Sequence, residues 1–399
     1  MKSIKDVNFK GKKVLVRVDF NVPLDEHKHI TDDTRICEAV PTINKLVADG
    51  AKIILIAHLG RPKKNGFDEE FSLKPIADYL EKLLDKKVIF IQKLLGEEVE
   101  HIINNMKDGD IFLLENIRFY PEETKGDEAF AKKIAALGEC YINDAFGSSH
   151  RLHCSTAVIA KFFPNDRYFG FLMEYEVKNL NRLMRESKKP FTAIIGGSKI
   201  SSKIKILESL LDIADNILIG GGMVFTFLKA QGKEIGKSLC EDDCMQVADN
   251  LMKKAKIKRV KVFLPIDVVE AEKFDNNAIR KEVSVDKINS QYMGMDIGEK
   301  TAKIYFDVIA ESKTILWNGP MGVFEMSNFR MGTKAMAEAI AEATANGAFS
   351  TVGGGDSVAA INMFGFADKV SFISTGGGAM LEYVENGTLP GIDAINENR

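Results

Sequence analysis

Cysteine is scarce: the 399 residues contain only five. Cys37, Cys140, Cys154, Cys240 and Cys244 are odd in number and scattered. That excludes a disulfide framework and reads as reduced thiols in the cytoplasm. Cys240 and Cys244 lack a second ligand pair, so no structural metal site is expected there. Long apolar runs are missing as well. Residues 53–57 are among the longest, far short of a membrane span. Residues 1–13 hold no apolar segment of signal-peptide length, so a cytoplasmic protein with no membrane partner is expected. Nor does one sign of charge dominate. Lys+Arg number 54 and Asp+Glu 57, a net −3, which argues against nucleic acid as a partner. There is no Gly/Ser linker, low-complexity tract or visible internal repeat.

What is present is ordinary globular material, 45% hydrophobic and 28% charged. Disorder and collagen are excluded, and the length suggests about two domains. Short apolar runs recur at 14–18, 53–57, 88–91, 111–114, 140–142 and 168–172. They recur again at 191–195, 217–219, 260–264, 314–317, 349–352 and 370–373. Continuous apolar runs of this length fit strands covered on both faces. Segments between them, such as 39–47 and 333–345, have helical periodicity. The pattern predicts an α/β protein with two doubly wound, mainly parallel six-stranded sheets. Residues 171–187 read as one amphipathic helix joining the domains, with an N-terminal domain at 1–170 and a C-terminal domain at 188–388.

Ligands of open α/β sheets bind at the carboxyl ends of the strands. In the first half those ends carry cations. Run 14–18 encloses Arg17 and leads to Asp19 and Asn21. Run 53–57 leads to His58 and Arg61, run 111–114 to Arg118, and run 140–142 to His150, Arg151 and His153. Arg35 follows Thr31-Asp32-Asp33-Thr34 at an expected helix start. Arginine is a planar fork for phosphate and carboxylate, so the cluster suits a small, multiply anionic substrate.

In the second half the strand ends carry glycines. They are Gly196-Gly197-Ser198-Lys199 with Lys203 beyond, Gly220-Gly221-Gly222, Asn318-Gly319-Pro320, Gly353-Gly354-Gly355-Asp356-Ser357 and Ser374-Thr375-Gly376-Gly377-Gly378. Glycine permits close backbone approach, and amides at helix N-termini bind phosphate. Asp356 at a helix start is either a cap or a Mg²⁺ ligand. No Gly-x-Gly-x-x-Gly occurs. The segment Gly232–Ser238 resembles a Walker loop but has one residue too few between its glycines and follows a helical stretch, so it is read as a decoy.

Arg17-Val-Asp-Phe-Asn-Val-Pro23, His58-Leu-Gly-Arg-Pro62, the stretch from Asn143 to His153, Trp317-Asn-Gly-Pro-Met-Gly-Val-Phe-Glu325, Gly353-Gly-Gly-Asp356 and Ser374-Thr-Gly-Gly-Gly378 closely resemble the phosphoglycerate kinase family, in its motif order and over nearly the whole chain. The resemblance implies two Rossmann-like domains facing across a hinged cleft in a monomer. The C-terminal tail, 389–399, would pack back on the N-terminal domain. It implies 3-phosphoglycerate binding by Asp19, Asn21, Arg35, His58, Arg61, Arg118 and Arg151, with His150 and His153 in the same basic patch. ATP or ADP would be bound by Gly197, Lys203, Gly221, Gly298, Asn318, Pro320, Glu325, Gly353, Gly354, Gly355, Asp356 and Ser357. It gives Mg²⁺ to Asp356, and the transfer itself to Arg35, Lys199, Gly354 and Gly377. The chain departs from the family pattern at Leu152 and Cys154 and at Ser198, Ser201 and Ser202.

The implied reaction is reversible phosphoryl transfer between 1,3-bisphosphoglycerate and ADP. Its acceptor is a carboxylate, already ionised at neutral pH, so no general base is required. A hinged ligand-binding protein would instead show a secretory signal and no nucleotide loops. An acetate-kinase-like enzyme would not need so many substrate-side cations.

Overall fold

The computed structural model describes residues 2–63 and 65–396. The chain divides into two units. The first runs to Lys178 and takes in the chain again from Thr388; the second spans Asn179–Gly387. The last three residues of the 389–399 tail lie outside the described residues.

The first unit is built on β1 (Lys13–Val18), β2 (Lys52–Ile56), β3 (Val88–Ile91), β4 (Ile111–Leu114), β5 (Cys140–Asp144) and β6 (Arg167–Phe169). They form one sheet in the order β3-β4-β2-β1-β5-β6, every neighbouring pair parallel. Five of the six residues of β1 are buried, as both-face coverage by helices requires. The helix Thr34–Asp49 turns Ile36, Ala39, Ile43 and Leu46 into the core at three- and four-residue steps. Each large aliphatic buried this way contributes about 1.5–3 kcal/mol. The helix ends at Gly50, whose left-handed backbone (φ 76°) turns its N–H onto the carbonyls of Leu46 and Val47.

The second unit holds β7 (Phe191–Ile195), β8 (Asn216–Ile219), β9 (Lys261–Phe263), β10 (Asp267–Ala271), β11 (Arg280–Ser284), β12 (Met293–Ile297), β13 (Thr314–Asn318), β14 (Phe349–Val352) and β15 (Phe372–Ile373). Six of them form a parallel sheet in the order β15-β14-β13-β7-β8-β9. Trp317, Ile315 and Ile194 pack there against Tyr305, Ile309, Met336 and Ile340.

The two six-stranded parallel sheets are those the apolar runs predicted. The antiparallel sheet β11-β10-β12 is not. Charged residues or glycine interrupt each of its strands, β10 reading Asp-Val-Val-Glu-Ala, β12 Met-Gly-Met-Asp-Ile and β11 Arg-Lys-Glu-Val-Ser with its first three residues exposed, so no continuous apolar run announces them. The run at 168–172 is also shorter as a strand than expected. Met173 N donates to Asp144 Oδ1 (3.1 Å) and Phe171 N to Thr42 Oγ1 (2.9 Å), and the chain turns into a helix at Phe171. That helix, Phe171–Arg185, carries the chain from the first unit to the second. Further along it, Asn181 Oδ1 accepts from the Tyr383 hydroxyl (2.9 Å), and the Arg182 guanidinium lies 4.1 Å from the centre of the Phe349 ring. Among the described residues no helix is long and apolar enough to cross a membrane.

Candidate active site

In the first unit the loops at the carboxyl ends of β1, β2, β4 and β5 draw their polar side chains together. Arg35, in the first turn of the 34–49 helix, directs NH1 at both oxygens of Asp19, each 3.2 Å away. Asp19 also accepts from Asn21 N (3.2 Å), and Asn21 Oδ1 accepts from Gly60 N (2.7 Å). Arg118 NH1 donates to Gly60 O (2.7 Å). The loop after β2 is thus fastened from two sides, by Asn21 and by Arg118, with Arg61 exposed next to it. His58 is buried and its Nδ1 lies 3.0 Å from Arg17 NH2. After β5, Arg151 Nε donates to His150 Nε2 (3.0 Å), and His153 lies buried with Nδ1 3.9 Å from Glu123 Oε1.

Burial and crowded positive charge set the protonation of this cluster. Burial first, then Arg17, Arg118, Arg35 and His153, hold His58 well below the ordinary histidine range. Burial with Arg118, Arg17 and Arg151 pushes His153 down to about 4. Both imidazoles are neutral at pH 7. Burial and the neighbouring Arg17 bring Arg118 down to about 10, which still leaves it charged. The result is a cluster of fixed guanidinium charge around the neutral His58 and His153, suited to phosphate and carboxylate oxygens.

In the second unit the loops after β7 and β13 meet between those adjacent strands. Gly196 N donates to Asn318 O (2.9 Å) and Gly197 N to Pro320 O (3.2 Å). Gly221 (φ +72°) passes so close that an added Cβ would lie 2.5 Å from Gly197 O, so only glycine fits. Lys203 Nζ donates to Asn318 Oδ1, and Asn318 Nδ2 donates to Gly353 O (2.6 Å). Gly319 N donates to Ser357 Oγ (2.6 Å). Gly355 opens the helix Gly355–Met363, with Asp356 exposed in its first turn. Gly377 opens the helix Gly377–Asn386 and packs against the backbone of Gly354.

A cavity of about 540 Å³ lies against β11, and a larger one of about 810 Å³ lies at the glycine loops. Gly197, Gly221, Pro320, Glu325 and Asp356 line the larger cavity. Lys203, Asn318, Gly353 and Gly354 belong to the hydrogen-bonded loop cluster described above, and Gly298 packs against Asp267. Lys199 is exposed on the loop after β7.

Sequence reading missed the apolar wall of this cavity, where Phe225, Met293, Met295 and Met326 stand. One phenylalanine and three methionines scattered over three segments carry no linear signal. It also missed Lys237, which lines the cavity from within the segment taken as a decoy. That segment follows the helix Val224–Ala230, as expected, and is no strand-end phosphate loop. In the first unit it missed Glu123 and Ser155, buried behind the arginines.

The departures from the family pattern fall outside the charged groups. Leu152 points to solvent, and the Cys154 thiol is buried and pushed up to about 12. Ser201 donates through N (3.0 Å) and Oγ (2.6 Å) to Glu241, and Ser202 Oγ donates to Lys199 O (2.9 Å). Both fasten the loop that carries Lys199.

Among the described residues no three His, Cys, Asp or Glu side chains group as metal ligands. Asp356 and Glu325 are exposed carboxylates lining the larger cavity, Asp356 in the first turn of its helix. One carboxylate suits Mg²⁺, which keeps several waters and takes its other ligands from substrate phosphates.

A parallel α/β sheet ending in arginines and histidines, and another ending in glycine loops at helix starts, define a phosphotransferase acting on small anions. The phosphoglycerate kinase family model matches residues 4–387, and the chain belongs to the phosphoglycerate kinase family. It is 50% identical to the phosphoglycerate kinase of Porphyromonas gingivalis, over 98% of this chain and 99% of that one. It is also 50% identical to "Phosphoglycerate kinase 3, cytosolic" of Arabidopsis thaliana, over 99% and 98%. The phosphoglycerate kinase structure from Coxiella burnetii superposes with a TM-score of 0.91 at 39% identity, covering 99% of this chain and 98% of that one. That from Pyrococcus horikoshii does so with a TM-score of 0.81 at 32% identity and the same coverage. The enzyme is a glycolytic kinase that moves a phosphoryl group between 1,3-bisphosphoglycerate and ADP, giving 3-phosphoglycerate and ATP.

Proposed function

We propose that the first unit's basic pocket holds the acid substrate and the second unit's glycine loops hold the nucleotide. Asp19, Asn21, Arg35, His58, Arg61, Arg118 and Arg151, with His150 and His153 beside them, bind 3-phosphoglycerate. The observation that carries this reading is the convergence of Arg17, Arg35 and Arg118 on a buried, neutral His58 at the strand ends. The nucleotide phosphates lie against the loops at Gly197, Gly221 and Gly353 to Gly355, whose missing side chains admit close approach, together with Lys203, Asn318 and Ser357. Gly298, Pro320 and Glu325 take the nucleoside end. Asp356 would hold Mg²⁺, which supplies charge neutralisation on the phosphates when bound.

The attacking carboxylate is already ionised, so this chain's task is positioning and charge stabilisation. Arg35, oriented by Asp19, and Lys199 stabilise the equatorial oxygens of the transferred group. Amides at Gly354 and Gly377, both at helix starts, add donors that need no reorganisation. Hinge-bending belongs to this proposal: one phosphoryl group served by Arg35 and Lys199 draws on both units. Small-angle scattering with both substrates bound should show compaction. A monomeric, cytoplasmic enzyme with no membrane or nucleic-acid partner completes the reading, supported by the "cytosolic" in one relative's name.

The test is a coupled assay with ATP, Mg²⁺ and 3-phosphoglycerate, reported by glyceraldehyde-3-phosphate dehydrogenase and NADH. Arg35→Ala should lower kcat roughly 100-fold or more, and chelation of Mg²⁺ should abolish turnover. Near wild-type turnover of Arg35→Ala would remove Arg35 from the transfer step.

A further inference from the structure

Arg17 is an arginine inside a strand, and it is fully buried. Its Nε donates to Ser155 Oγ (2.8 Å), its NH1 to Val18 O, and its NH2 meets His58 Nδ1 (3.0 Å). Glu123, buried as well, reaches this guanidinium through Ser155. Glu123 Oε1 accepts from Ser155 Oγ (2.6 Å) and Oε2 from Ser155 N (2.9 Å). The backbone of Ser155 is held in turn, its carbonyl accepting from the Tyr141 hydroxyl (2.6 Å).

The directions of these bonds follow from chemistry. A guanidinium only donates. Ser155 Oγ therefore accepts from Arg17 and gives its single hydrogen to the Glu123 carboxylate. His58 Nδ1 likewise accepts from Arg17, so a neutral ring carries its proton on Nε2. The charged and titratable groups facing His58 are Arg17 on β1, Arg35 on the 34–49 helix, Arg118 after β4 and His153 after β5. All of them oppose a second proton on the ring.

We propose that Ser155 and Glu123 are positioning residues for the acid substrate: they hold Arg17 on His58 Nδ1 and so lock His58 as a neutral donor through Nε2–H. The proposal rests on the reading that His58 meets the acid. The substrate then finds, among fixed positive charges, a hydrogen-bond donor that does not switch with pH. Glu123 supplies the buried negative charge that Arg17 needs, at one serine's remove, and leaves the guanidinium free to face His58.

The experiment is a nitrogen-15 spectrum of the imidazole rings of the full-length protein, with His58 assigned by its loss in His58→Gln. The wild-type His58 signal should show the neutral ring protonated on Nε2, unchanged between about pH 5.5 and 8. A proton on Nδ1, or a titration midpoint within that range, would overturn the lock. Ser155→Ala and Glu123→Gln should raise KM for 3-phosphoglycerate roughly ten-fold, as loss of one buried charge-assisted link predicts. They should leave kcat within about two-fold and KM for ATP unchanged. The ATP value and the melting curve report the fold, and the wild-type spectrum decides the tautomer without any variant. Unchanged acid KM in both variants overturns the positioning role. If His58→Gln keeps wild-type acid KM while the wild-type ring is locked as described, the placement of the acid fails, and the positioning role with it. A titrating ring combined with a raised KM in His58→Gln overturns the lock and spares the site.

Discussion

At the residue scale, the most informative groups are buried carboxyls rather than the exposed ones. Asp296 is buried and accepts from Ile297 N (2.9 Å) through Oδ1 and from Gly332 N (2.8 Å) through Oδ2. It thereby caps the helix Met331–Ala345 at the edge of the larger cavity. Burial overrides these donors and pushes its carboxyl from 3.8 up to about 7. The folded protein then binds this proton more tightly than the unfolded chain does. The stabilisation is fully present below 3.8 and is lost as pH rises through about 7. A shift of that size is worth roughly 4 kcal/mol at most. Asp296→Asn keeps one acceptor and removes the titration. Urea denaturation at a series of pH values should therefore give a flatter stability profile between pH 4 and 7 than the wild type. Parallel profiles would show that Asp296 ionises normally. Asp144 shares this behaviour, raised by burial to about 7 at the start of the helix that joins the units.

At the scale of elements, the glycine loops were legible as a set, because they all follow apolar runs. What each glycine does was not. Gly354 has φ +97°, and an added Cβ would lie 2.4 Å from Asn318 Nδ2. Gly354→Ala should therefore displace Asn318, the partner of Lys203 and of Gly353 O. KM for ATP should rise at least about ten-fold while the affinity for 3-phosphoglycerate holds, a loss of roughly 1–3 kcal/mol typical of strain at such a position. Isothermal titration with each substrate separates the two effects, and unchanged nucleotide binding would remove this loop from the phosphate site. The antiparallel sheet β11-β10-β12 stayed hidden for the opposite reason. Its members gain their burial from one another and from Phe329 and Ala278, not from an internal apolar pattern. Lys237 was set aside with its glycines because spacing is a test of a phosphate loop, whereas lining a cavity needs only proximity.

At the scale of the whole molecule, the first unit is closed by the end of the chain. The helix Pro390–Asn396 buries Ile392 and Ile395, Leu389 precedes it into the core, and Gly391 N donates to Ser149 O (2.9 Å). A chain ending at Gly387 loses those three aliphatic side chains, worth roughly 9 kcal/mol as an upper figure. The first unit should melt earlier and bind 3-phosphoglycerate more weakly. ATP binding by the second unit should persist. Calorimetry of the shortened chain with and without each ligand checks this; an unshifted first transition would show that the terminal helix adds nothing.

The sequence by itself determined the two parallel sheets, the strand ends at which chemistry gathers and the family to which the chain belongs. Those depend on runs and motifs that are contiguous in the chain, and covered strands must be apolar along their length. Tertiary structure alone decided that Glu123, 106 positions after Arg17, balances that arginine through Ser155, and that His58 is neutral. It alone decided that Asp296 carries a proton near neutrality and that methionines from separate segments wall the cavity. Proton positions depend on burial and on charges brought together from distant parts of the chain, and Coulomb energy and desolvation follow distance in space rather than distance along the sequence.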